Sequence, residues 1–139
     1  MNQDPNSRQG RDDANNCFVC GPHNPLGLHV QFHLDGEICR GEFTPETDHC
    51  GYDGITHGGI LFSLLDDVMA NWLYRKGLRC YTAKCEIRYR NPLPTGCRVL
   101  LAGKSLKRKR NVVVMEGLAS RADTAAAIAE CQASFFIES

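Results

Sequence analysis

His57-Gly58-Gly59-Ile60-Leu61-Phe62-Ser63-Leu64-Leu65-Asp66 opens the most regular apolar pattern in the chain. Two glycines at the head of a helix leave backbone N–H groups, at the positive end of the helix dipole, open to a ligand with no Cβ in the way. From Gly58 to about Lys76, the residues Leu61, Leu64, Leu65, Val68, Met69, Trp72 and Leu73 recur at helical spacing. Gly77 stops the pattern just after Arg75 and Lys76, cations that suit a helix C-terminus. At helical rise this segment is a rod of about 28 Å.

The helix face can be drawn from sequence alone. With Leu61 at zero and about 100° per residue, the apolar stripe centres near Leu61, Val68 and Trp72. Asp66 falls at about 140°, on the flank of the stripe, and Asp67 at about 240°, near Asn71 and Tyr74, on the side expected to face water. Asp66 is therefore the carboxylate expected to be partly buried. Desolvation would raise its pKa toward working pH and suit it to act as base or nucleophile. A bare amide cradle plus an acid–base group is the minimal kit for attack on a carbonyl. Gly59 and Asp66, however, are separated by about 10 Å along the axis. One helix cannot bring both to one reacting atom, so the spacing predicts an oligomer with the site at its interface. On these residues alone a tight Gly-Gly loop and a solvated aspartate remain the plainer alternative.

Around the helix the chain reads as strands. Leu28–Leu34 and Glu37–Phe43 alternate about Asp35-Gly36, a two-residue hairpin signal. Thr44–Thr56 is loop. Tyr81–Arg90, Cys97–Leu106, Asn111–Arg121 and Ala125–Ile137 are expected strands, with a basic turn between the middle two. The alanines of the last segment favour helix, but Ser134-Phe135-Phe136-Ile137 needs a sheet. The expected class is α+β, one long central helix wrapped by a curved antiparallel sheet of five or six strands. Residues 1–16 read as a polar tail, 17–27 as a turn-rich entry segment, and 17–139 as one folded domain.

Composition excludes several classes. The chain has 139 residues, 42% of them hydrophobic, enough for one core. Its 16 basic and 16 acidic side chains balance, so charge argues against a nucleic-acid or membrane partner. No apolar run approaches the ~20 residues that span a bilayer, and residues 1–16 lack an apolar leader, so a cytoplasmic protein is expected. Cys39, Cys85, Cys97 and Cys131 stand singly in strand-like segments, where cysteine behaves as a small hydrophobe. Cys17-x-x-Cys20 is a lone pair. A structural zinc needs four ligands, and His23, His49 or Cys50 would join only by accident of folding. A thioredoxin-type redox pair would need a strand before it and a helix at it. Neither a metal nor a cofactor is expected.

Further spacing narrows the reading. Asp66 follows His57 by nine residues, Thr82 follows Asp66 by sixteen, and Tyr89 and Pro92 come after. This pattern, over roughly residues 25–137, resembles the hotdog-fold acyl-CoA thioesterases, most closely their phenylacetate-pathway and THEM-type branch. The segment Cys17–Leu28 looks like a feature of bacterial members. The resemblance implies that two protomers pair their sheets edge to edge as a homodimer, and that dimers pair again into tetramers. It implies that Asp66 activates water or attacks the thioester carbonyl. The amides of Gly58 and Gly59 in the opposite subunit would bind the carbonyl oxygen, and Thr82 would orient the water. The family pattern often has Asn six residues before the histidine; here Gly51 stands there. That departure leaves His57 either to polarise the carbonyl itself or only to cap the helix. The run Lys104–Arg110 holds five basic residues in seven. Lys107, Arg108 and Arg110 are either charge protection for a hairpin edge or a clamp for the phosphates of coenzyme A. The function implied is acyl-CoA hydrolysis. A non-catalytic acyl-CoA-binding protein and an acyl-thioester dehydratase or hydratase are the alternatives on this fold.

Overall fold

Strict alternation along three neighbouring strands makes the sheet one-sided. In the computed structural model, which describes residues 13–138, β4 (Val99–Lys109), β5 (Val112–Arg121) and β6 (Ala127–Ile137) form its middle. Val99 and Leu101, then Val113, Met115 and Ala119, then Cys131, Ala133, Phe135 and Ile137 all point inward. They bury against Leu61, Leu64, Leu65, Val68, Met69 and Leu73 of α1 (Gly58–Tyr74). With β1 (His33–Asp35), β2 (Ile38–Phe43) and β3 (Cys80–Tyr89), the sheet runs β1-β2-β4-β5-β6-β3, antiparallel throughout. One long helix in the grip of a curved, unclosed six-stranded sheet is the hotdog architecture.

A glycine pair sets how deeply the helix lies. Gly103 on β4 faces Gly117 on β5 in direct register. A Cβ on Gly103 would stand 2.9 Å from the Val68 carbonyl oxygen, and one on Gly117 2.9 Å from Cys131 Sγ. Neither position has room for a side chain, so the pair forms a notch under Val68 and Met69. The depth of that notch positions the whole helix, and with it the carboxylates of Asp66 and Asp67.

Four expectations need correction. Of Leu28–Leu34 only the end from His33 is paired strand. The preceding residues bond instead to the entry segment, Leu28 N to Phe18 O and Val30 N to Val19 O, and His29 has a φ of 56°, which breaks an extended run. The basic run is mostly strand rather than turn. β4 continues to Lys109 by bulging between Ser105 and Lys107, and the turn itself is Arg110-Asn111. Because β2 pairs with β4 only as far as Gly103, the outer edge of β4 beyond it has no strand beside it among the described residues. Lysines and arginines occupy that stretch, as charge on an open edge should. Third, Asp67 does not face water; it lies half-buried beneath the entry segment. Its helix neighbour Asn71 is only 3% exposed. A fourth correction concerns Trp72, which lies at the margin of the core with its indole N–H on the Glu37 carbonyl. The tail expected over residues 1–16 lies outside the described residues as far as residue 12. Among the described residues no helix is long and apolar enough to cross a membrane.

Candidate functional site

Helix α1 and edge strand β3 run side by side and are tied at two points. At one end the Tyr89 hydroxyl donates to the Gly58 carbonyl at 2.8 Å. At the other the Thr82 hydroxyl donates to Asp66 Oδ1 at 2.6 Å. The second tie depends on a bulge. Thr82 is opposite Phe135 and Cys85 opposite Ala133, both inward-facing partners, but Lys84 is opposite Ser134. Ala83 is therefore an extra residue. Simple alternation would put Thr82 and Cys85 on opposite faces; the bulge returns Thr82 to the helix side.

Asp66 is half-buried, and burial pushes its carboxyl above the ordinary carboxylate range. The Thr82 hydrogen bond pulls the other way more weakly, and the nearby charge of Cys17 adds to the rise. With Thr82 donating to Oδ1, Oδ2 is left to accept a proton, and the Thr82 oxygen can itself accept from a water.

The helix N-terminus is built by His57. In extended conformation (φ −63°, ψ 135°), it caps the helix by accepting the Gly59 N–H on Nδ1 at 2.8 Å. Two consequences follow. Gly59's amide is taken, whereas the Gly58 N–H has no partner among the described residues. In the neutral ring Nδ1 is then the acceptor, so Nε2 carries the proton and is a donor. Capping and polarising are thus compatible roles for one imidazole. Gly51 packs beside it: a Cβ there would rest 3.6 Å from His57 Cδ2, an ordinary contact.

The structure brings the candidate residues together as two groups in one protomer. Asp66 and Thr82 form one; His57, Gly58 and Gly59, with Tyr89, form the other. Eight residues of helix separate Gly58 from Asp66, about 12 Å. Lys107, Arg108 and Arg110 sit apart from both, at the β4–β5 hairpin. Arg108 shares a register row with Thr82 through Val113 and Phe135, so three strand spacings, about 14 Å, lie between them. Its Nε donates to the Arg110 carbonyl, which steadies the turn.

A third grouping escaped the sequence. The entry segment lays Cys17 and Cys20 against Asp67, with ligand atoms within 4.8 Å of one another. Hydrogen bonding from Cys20 draws the Cys17 thiol down to about 5, against a burial that pushes it up. In contrast, burial pushes the core thiols of Cys39 and Cys131 up to about 12. Asp67 and Asn71, polar residues four apart on a helix otherwise spoken for, were the signal available.

Comparison with known proteins fits this geometry. Residues 53–128 match the family model described as the thioesterase superfamily. The chain belongs to the thioesterase superfamily. No curated protein matches it by sequence. Among solved structures, a thioesterase superfamily protein is 28% identical with a TM-score of 0.77, over 84% of this chain and 61% of that one. The PaaI protein of the E. coli phenylacetic acid degradation operon is 18% identical with a TM-score of 0.74, over 81% of each chain. A hypothetical thioesterase protein with coenzyme A from Streptococcus pneumoniae TIGR4 is 17% identical with a TM-score of 0.73, over 78% of this chain and 87% of that one. The matched family segment holds both α1 and β3, and so both ties between them.

Proposed function

We propose that this thioesterase-superfamily protein hydrolyses acyl-coenzyme A thioesters to free acid and coenzyme A, with Asp66 as general base or nucleophile. The Asp66–Thr82 hydrogen bond carries the reading: a half-buried carboxylate, held by one oxygen, with a hydroxyl beside it to fix a water. In the base form Asp66 takes a proton from that water as its oxygen attacks the thioester carbonyl. The tetrahedral intermediate collapses, the C–S bond breaks, and the proton held on Asp66 passes to the departing thiolate. The Gly58 amide and His57 Nε2–H stabilise the oxyanion.

The donors belong to the partner subunit's copy of the helix. Strand β3 is an edge of the sheet, and most of it is exposed in the protomer. Tyr89 holds Gly58 at one end of this strand and Thr82 meets Asp66 at the other. A two-fold axis midway, near Cys85 and Glu86, would lay each chain's Tyr89 end along its partner's Thr82 end. That arrangement supplies each carboxylate with amides its own helix places about 12 Å away. Lys107, Arg108 and Arg110 would hold the nucleotide phosphates.

The solved relatives lend support. The Streptococcus pneumoniae protein is described with coenzyme A, and other structures of it carry alanine in place of an aspartate and of a threonine sixteen positions later. Asp66 and Thr82 stand at that same separation. The deciding experiment is a hydrolysis screen over short, long and aromatic acyl-CoAs with free-thiol detection, on the wild type and on Asp66→Asn. Turnover by the wild type that Asp66→Asn loses is the expected result. Tight binding of acyl-CoA with no turnover by the wild type would make the chain a binding protein and overturn the proposal.

A further inference from the structure

On the opposite flank of α1 from Thr82, the entry segment and the helix converge on a set of ligand-type atoms. Cys17 Sγ lies 3.7 Å from Asp67 Oδ1, and Cys17, Cys20 and Asp67 all fall within one 4.8 Å sphere of mutual approach. The Cys-x-x-Cys turn aims backbone amides at the first sulfur, Cys20 N to Cys17 Sγ at 3.5 Å, an arrangement that favours thiolate. Asn71 closes the remaining side. It is only 3% exposed, and its Nδ2 reaches Asp67 Oδ2 at 2.9 Å and Cys20 Sγ at 3.7 Å. Its own Oδ1 is buried with no partner. A buried amide whose oxygen is unsatisfied while its nitrogen faces the Asp67 carboxylate and the Cys20 thiol is arranged for something other than packing.

We propose that Cys17, Cys20 and Asp67, with Asn71 at the fourth corner, bind one zinc-like divalent cation that fastens the entry segment to helix α1. This inference is independent of the hydrolytic reading. Zinc held tetrahedrally by thiolate and carboxylate keeps its ligand atoms about 3.4–3.8 Å apart. The spacing here needs only a slight contraction. Two sulfurs select a borderline-soft ion; calcium and magnesium require six or more oxygens, which the site lacks. Turning the Asn71 amide over would bring its orphaned Oδ1 to the ion, where its NH2 now stands. Three acidic groups this close must share protons when alone, and a divalent ion displaces those protons. A pocket lined by Asp13, Ala14, Cys17, Asp67 and Tyr74 opens beside the cluster and provides an entry path.

The test uses the full chain, reduced, stripped with chelator and titrated with Co2+ and then Zn2+. One equivalent of Co2+ should produce a sulfur-to-cobalt charge-transfer band and tetrahedral visible bands, both abolished by one equivalent of Zn2+. Zinc should also raise the melting temperature. Cys17→Ser/Cys20→Ser should lose the charge-transfer band and the thermal shift. Asp67→Asn and Asn71→Ala should each weaken binding by about tenfold or more. If the double variant does not fold, Cys17→Ser alone, with circular dichroism as the control, takes its place. A reduced wild type that shows no charge-transfer band with Co2+ overturns the proposal. So does a band that survives the cysteine substitutions, because the ion would then sit on other cysteines.

Discussion

Asp66 and Asp67 are neighbours in sequence, and apart from the charge of Cys17, which reaches both, their surroundings differ. Asp66 looks toward the sheet edge, accepts a hydrogen bond from the Thr82 hydroxyl on β3, and is shifted chiefly by burial. Asp67 looks toward the entry segment and meets Cys17 and the Asn71 amide. About 100° of helix rotation separates a carboxylate facing an open edge from one under a covering loop. The difference teaches that a helix angle gives only a direction. What a carboxylate can do is decided by the segment that arrives on that side.

The sharpest way to break the comparison is to remove each charge in turn. Asp66→Asn should lower kcat for acyl-CoA hydrolysis by about 10²-fold or more while the fold is retained. Asp67→Asn should leave kcat within about twofold, with its effect on cation binding and melting temperature instead. Hydrolysis lost in Asp67→Asn and kept in Asp66→Asn would reverse the assignment.

A somewhat smaller loss, of order 10²-fold, is expected from Gly58→Pro, which deletes the amide offered to the oxyanion. Proline is suited to the first helical position, and His57 already holds the extended conformation that a following proline demands. Gly58→Pro and Asp66→Ala homodimers, each nearly inactive, should regain activity on subunit exchange. Each heterodimer would have one doubly defective site and one intact site, giving roughly a quarter of wild-type activity after random mixing. Verified heterodimers as inactive as their parents would mean each chain carries its own complete site.

Thr82→Val keeps the volume and removes the donor. A loss of about tenfold in kcat is expected, with Thr82→Ser tolerated. The sign of the pH effect is fixed by the partner it serves. The hydroxyl holds the Asp66 pKa down against burial, so its removal should move the acid limb of kcat to higher pH, measured with chelator present. An unmoved limb would detach Thr82 from Asp66. The smallest effect should come from Arg108→Ala/Arg110→Ala, a KM rise of about fivefold for acyl-CoA with little change in kcat. Phosphate contacts far from the carbonyl bind ground and transition states alike. Pantetheine thioesters should not register the change; equal losses on both substrates would point to a structural role for the hairpin.

Much of this architecture was legible in the sequence because it rests on periodicity. The apolar repeat from Leu61 to Leu73 marked α1 almost to its ends, and alternation marked β3 to β6 to within a few residues. Asp66 was legible for the same reason: its angle on the helix put it at the rim of the core. Thr82 was not. Alternation on its own would have turned it outward, and only the resemblance to a known spacing singled it out. Asp67 was misread because helical angle cannot see the entry segment, whose fold over α1 is set by turns such as Gly21 N to Cys17 O rather than by any repeat. The same limit hid Asn71, a polar residue that looked solvated and is buried.

The register of β3 places part of the candidate site under the control of chain length rather than side-chain chemistry. Ala83 is exposed, and every substitution scan would score it as permissive. A deletion scan would score its loss as milder than the loss of a paired neighbour such as Glu86, which would shift the register. Losing Ala83 would leave Thr82 opposite Phe135 and Lys84 opposite Ser134, so plain alternation would itself keep the Thr82 hydroxyl on the helix side. In the genetic history of such a chain, replacements and single-codon losses at this position would both accumulate, while losses at its paired neighbours were purged.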